Sequence, residues 1–276
     1  MKQVFIQFVF SIVALTWCHG VLAAPIRTIY TTNDRPLVGT INDNLLIQDI
    51  EIINSQINQM KRIHSAEHDP EILQILKAVF GDGVNLTEVQ YMVHVLSDEN
   101  ATVPIASLSD GAAGCEGGLQ NVIVNGNGNG NEAVQPLWAQ NPTSGKHANA
   151  LRVSTTLFKD LPDIQALNIL ARATMTLDGM GTGDYWKLDA EKQNLVPVPF
   201  EELAHLKESE KGGYVNGGLA HDYLAVYGWA HPGLLHMNAA NWGVLGYVLA
   251  YRHFPENLRV LDQKLPKSFL LEEPTS

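Results

Sequence analysis

The chain has 276 residues, enough for one large domain or two small ones with a proper core. Its 29 acidic and 18 basic residues leave a net charge of −11. That balance argues against a protein built to bind nucleic acid or an anionic membrane surface.

The first 23 residues read as a secretory signal. Lys2 supplies a positive start, Val4 to Trp17 an apolar run, and Val21-Leu22-Ala23 a small-residue cleavage site before Ala24-Pro25. The apolar run falls short of the roughly 20 residues that span a bilayer, and no later segment replaces it. Cleavage leaves 253 residues at a charge of −12, because Lys2 departs. The expected product is secreted, extracellular and free of the membrane. Cys18 departs as well, so Cys115 stands alone and no internal disulfide is possible. Cys115 is either buried or paired with another chain; burial is expected, since free cysteine behaves as a small hydrophobe.

Residues 24–42 show no period and read as an extended N-terminal arm. Leu45, Leu46, Ile50, Ile53, Ile57, Met60 and Ile63 then recur at helical spacing and predict an amphipathic helix over 43–66. Asp69-Pro70-Glu71 is an N-cap with proline at the first helical position; it predicts a second helix that Gly81 ends. A third is predicted over 86–97. Asn85-Leu86-Thr87 and Asn100-Ala101-Thr102 are acceptor sequons, so sugar is expected on Asn85 or Asn100.

Residues 98–120 read as polar and glycine-rich, 121–124 as a short strand, and 125–132 as a flexible loop. Alternation over 151–158 predicts another strand. Asp163 is expected to cap a helix over 164–177, with Leu167, Leu170 and Thr174 toward one face. Residues 188–218 read as loop plus a short helix. Two helices follow, at 219–229 and 238–252, and residues 256–276 read as a polar C-terminal tail. The order of helices, then a few strands, then helices is that of an α+β protein, with one domain over 43–255.

Chemistry concentrates in Ala171-Arg172-Ala173-Thr174-Met175 and the Gly181-Thr182-Gly183-Asp184-Tyr185 that follows. With Phe80-Gly81, with Leu157-Phe158-Lys159-Asp160-Leu161-Pro162 and with Asn238-Ala239-Ala240-Asn241-Trp242, in that order, these stretches resemble the aspzincins. Those are secreted fungal metalloendopeptidases of the deuterolysin-like and lysine-specific kind. The resemblance covers most of the mature chain and implies a zincin-like fold. It also implies a helix bearing His-Glu-x-x-His and an aspartate loop that supplies the third zinc ligand, here Asp184.

The departures from that pattern carry the functional reading. Ala171 and Met175 stand where the two histidines belong, and Arg172 where the glutamate belongs. Alanine binds no metal, a thioether suits softer metals, and a guanidinium cannot act as a base. Lys187 stands where a tyrosine is expected; Tyr227-Gly228 supplies that element if Asp222 rather than Asp184 is the loop aspartate. The expected function is therefore that of a pseudoenzyme, an extracellular binding protein with no cofactor and with Asp184 pairing with a basic group such as Arg172.

Two other readings stay open. An active zinc metalloendopeptidase would place its ligands around His205, His221 and Asp222, with Glu202 of Glu201-Glu202-Leu203-Ala204-His205 as base. The competing reading of that segment is an exposed acidic helix. A zinc-binding surface antigen of the His-Arg-x-x-His type shares Arg172 but neither histidine. His64-Ser65-Ala66-Glu67-His68 has the inverted zincin spacing, against which stands a solvated helix end.

Overall fold

A computed structural model of the chain describes residues 26–28, 41–98, 103–108, 121–123, 151–154, 161–177, 179–191, 193–198, 202, 214–217 and 223–270. The signal segment, Asn100, Cys115, the 125–132 loop, His205, His221 and Asp222 lie outside these residues. No helix among the described residues is long and apolar enough to cross a membrane.

Helix α1 (Ile41–Met60) carries the predicted apolar stripe, with Ile53, Ile57 and Met60 buried. It does not run on to residue 66. The chain tightens into a 3-10 turn at Lys61–Ser65, which buries Ile63 alone. Helix α2 (Pro70–Phe80) begins as its signals require: the Asp69 carboxylate accepts from the amides of Glu71 and Ile72, both at 3.1 Å. Helix α3 (Leu86–Leu96) is capped by Asn85, whose side-chain oxygen accepts from the Glu88 amide. Asn85 itself is exposed, and the cap uses only the oxygen of its side-chain amide.

Four short strands form one parallel sheet in the order β1-β2-β4-β3. They are β1 (Ile26–Thr28), β2 (Val103–Leu108), β3 (Asn121–Ile123) and β4 (Leu151–Ser154). Two expectations are corrected here. The N-terminal arm contains a paired strand, and the stretch read as polar and glycine-rich contains β2, which pairs on both sides. Pro104 hides β2 in the sequence, since proline cannot donate to a ladder. The register explains its tolerance: Pro104 lies opposite Arg27 of β1, and β4 pairing starts only at Ile105.

Helix α4 (Pro162–Thr176) starts one step earlier than Asp163 suggests. Leu161 is the cap residue and Pro162 the first helical position; Asp163 lies inside the first turn, its carboxylate accepting from Ile164. After α4, the stretch expected as loop plus short helix also contains strands of a three-stranded antiparallel sheet, order β6-β5-β7, of β5 (Tyr185–Asp189), β6 (Asn194–Pro197) and β7 (Val215–Asn216), while Glu202 between β6 and β7 is helical. The β5–β6 turn places Gln193 at φ 55°, so the glycine that ordinarily flags such a turn is missing.

Helices α5 (Tyr223–Trp229) and α6 (Ala239–Tyr251) follow. Every residue of α6 from Ala239 to Leu249 is buried, as for a helix apolar on all sides. It packs against α4, α1 and α2. The α4–α6 approach is set by Gly243, where an added methyl would overlap the Leu167 carbonyl. Gly243→Ala is expected to force the two helices apart and cost about 1–3 kcal/mol, measurable as a lowered urea midpoint with helical circular dichroism retained.

The expected polar tail is also corrected. Residues 256–264 form a 3-10 helix, and Leu258, Leu261, Leu265 and Phe269 are buried in the main core. These four recur every three or four residues, a periodicity diluted by the charged residues between them. The chain as described is α+β, with helices α1, α2, α4 and α6 around one core.

Candidate functional site

Helix α4 ends at Thr176, and Leu177 leaves it in an extended conformation. The chain must then reverse to bring residues 182–184 back over the helix. Gly181, at φ 62°, allows the turn without the penalty a side chain carries there. Backbone pairing then clamps the returning loop. The Gly183 amide donates to the Met237 carbonyl at 2.9 Å, the Ala239 amide to the Gly183 carbonyl at 3.0 Å, and the Gly217 amide to the Asp184 carbonyl at 2.6 Å.

Two side-chain contacts join this loop to α4. The Thr174 hydroxyl donates to the Ala171 carbonyl at 2.7 Å and lies 3.0 Å from the Thr182 hydroxyl. A hydroxyl carries one hydrogen, so Thr182 is the donor between them. One turn away, the Arg172 guanidinium forms an ion pair with the Asp184 carboxylate. Both side chains are almost wholly enclosed, at 2% and 1% exposure. Arg172 Nη1 also lies 3.4 Å from the Met175 sulfur. Burial pushes the Arg172 guanidinium down to about 10, against the opposing effect of Tyr185. It remains protonated at neutral pH, so the pair is ionic. Arg172 Nη2 and Asp184 Oδ1 are buried with no hydrogen-bond partner, which makes the pair the main compensation each charge has.

The sequence pieces separated by up to about 160 residues meet here. Asn238 donates to Asn241 at 2.7 Å and accepts from the Trp186 indole at 3.2 Å. Asn241 and the Tyr223 hydroxyl both donate to the Val79 carbonyl, at 3.3 and 2.6 Å. The Trp242 ring lies 5.3 Å from that of Phe80, and its indole donates to the His236 carbonyl at 2.8 Å. The end of α2, the Asp184 loop and the start of α6 are thus one connected unit.

The donor set around Arg172 does not fit zinc. Ala171 is buried and has no ligand atom, Met175 offers a thioether already facing a cation, and Asp184 is engaged by Arg172. A second cation placed at that carboxylate would meet the guanidinium charge. Among the described residues, no group of three or more His, Cys, Asp or Glu side chains is arranged to hold a metal.

The remaining candidates fall elsewhere. Glu202, the base candidate of the rearranged reading, is held by the Lys187 ammonium at 2.8 and 3.1 Å and by the Tyr214 hydroxyl at 3.0 Å. Those hydrogen bonds, Lys187 first, keep its carboxyl below the ordinary range, the wrong direction for a general base at neutral pH. Lys187 is thereby explained by a partner in the fold. His64, Glu67 and His68 are exposed, and the 3-10 turn at 61–65 removes the helical spacing that would align the two histidines.

One contact had no signal in the sequence. Buried His236 lies 2.6 Å through Nε2 from the Glu88 carboxylate. Burial pushes its imidazole pKa down, opposed by Glu88 and by the Gly233 backbone. The partners lie 148 positions apart, on elements that no local pattern connects. Compared with models of known protein families, with curated proteins and with solved structures, the chain matches none.

Proposed function

We propose that this protein is a secreted, aspzincin-like pseudoenzyme that acts as an extracellular binding protein. One observation carries the reading: at the place where the resemblance puts the metal centre, helix and aspartate loop are joined by a buried ion pair between Arg172 and Asp184. The loop still delivers its carboxylate to the helix, but a guanidinium receives it. A single-metal hydrolase needs several protein ligands, an open position for water and a base. Ala171, Arg172 and Met175 supply no such set. Secretion rests on the tripartite leader, and the extracellular route agrees with a sequon at exposed Asn85.

Purified mature protein is expected to carry no stoichiometric zinc and to leave a denatured protein substrate uncut, with or without added zinc. Elemental analysis and a chelator-controlled digestion check this. Chelator-sensitive cleavage that survives Asp184→Ala and is lost in His205→Ala would establish the rearranged enzyme around His205, His221 and Asp222 instead. Stoichiometric zinc without cleavage would favour the antigen-type reading.

A further inference from the structure

Helix α1 turns a carboxyl group inward. Asp49 occupies the core-facing stripe of α1, one turn before Ile53, and is 1% exposed. Its Oδ2 has no hydrogen-bond partner. The surroundings are set by the packing of α1 on α6 and α4. Gln56 of α1 lies over Gly246 of α6, and Asp49 lies toward Tyr251 at the other end of the contact.

Tyr251 feels the charge of two carboxylates, Asp163 of α4 and Asp49 of α1. Tyr247 is bonded to Asp163, and its ring lies 4.7 Å from that of Tyr251. Arg259 of the C-terminal 3-10 helix acts on Tyr247 and is ion-paired with Glu256 at 3.0 Å. Three helices therefore converge where the Asp163 carboxylate is already bonded and Asp49 Oδ2 has no hydrogen-bond partner.

We propose that Asp49 is a proton-controlled latch: α1 stays docked on α4 and α6 while the carboxyl is neutral and is released as it ionises. An ionised Asp49 would sit desolvated near a second carboxylate, so opening the helix to water relieves the charge. Burial pushes the Asp49 carboxyl up to about 7, against an ordinary value of 3.8. The sign follows. Docking binds the proton more tightly than the released state does, so its stabilising effect is complete below the ordinary value. It is lost progressively as pH rises toward about 7.

The experiment is hydrogen–deuterium exchange of the full mature chain, followed for the peptide spanning 45–57 and corrected for intrinsic exchange. The opening constant of α1 is expected to rise about 50-fold between pH 5 and 7 in the wild type. In Asp49→Asn and Asp49→Leu it should not change with pH. Arg27→Ala, which removes the one basic residue of β1, should keep the wild-type pH dependence. A wild-type opening constant that is the same at both pH values overturns the latch. So does a pH dependence that persists in the Asp49 variants or disappears in Arg27→Ala. If neither Asp49 variant folds, the carbon-13 titration of the wild-type Asp49 carboxyl decides: a midpoint near 7 supports the latch, and one in the ordinary carboxylate range overturns it.

Discussion

Replacing Arg172 by methionine is expected to lower stability by about 3–5 kcal/mol. The reason is what remains. Asp184 is enclosed at 1% exposure, and its Oδ1 has no other partner. Removing the guanidinium leaves a charged carboxylate inside the protein with nothing to compensate it. Asp184→Leu should cost a similar amount for the mirror-image reason. The double variant, Arg172→Met with Asp184→Leu, removes both charges and is expected to recover most of the loss, because a buried pair replaced by apolar groups of similar size is often close to neutral. Urea unfolding of the four proteins measures the coupling directly. Near-additive losses would show that the two side chains are not an interacting buried pair. Because the pair links α4 to the 181–184 loop, either single variant should also increase amide exchange in that loop.

Trp242→Ala is expected to cost about 3–5 kcal/mol. Trp242 is fully buried at the start of α6, packed on Phe80 of α2 and bonded through its indole to the His236 carbonyl. Alanine leaves a cavity between α2 and α6 and strips the His236 carbonyl of a donor. Trp242→Phe keeps part of the ring contact and loses the hydrogen bond, so its loss should be clearly smaller. Thermal unfolding separates the two variants, and equal losses would mean that the hydrogen bond rather than the ring carries the contact.

The helices were legible because their signals are local. The Asp69-Pro70 start and Gly81 end of α2, the apolar stripe of α1 and the third helix after Asn85 need only a few consecutive residues to be read. The Arg172–Asp184 contact was foreshadowed in the same way, since a helix followed by a glycine-bearing loop brings residues twelve apart back together. The strands were harder. Pro104 masked β2, and Gln193 at a positive φ concealed the β5–β6 turn. Leu258, Leu261, Leu265 and Phe269 were periodic but sat among charged residues, and only their burial separates a core segment from a tail.

By itself, the amino-acid sequence determined which residues cannot make a zinc site: Ala171 has no donor atom and Arg172 no free base, whatever the fold. Its local patterns also determined most of the helices. Only the tertiary structure decided what those residues do instead. It enclosed Arg172 and Asp184 together, gave Lys187 its partner in Glu202, joined His236 to Glu88, and left the Asp49 carboxyl without a hydrogen-bond donor at Oδ2. The physical reason is that ligand chemistry is a property of a side chain, whereas burial and charge pairing are properties of its neighbours. Those neighbours are brought in from distant parts of the chain by the packing of α1, α4 and α6.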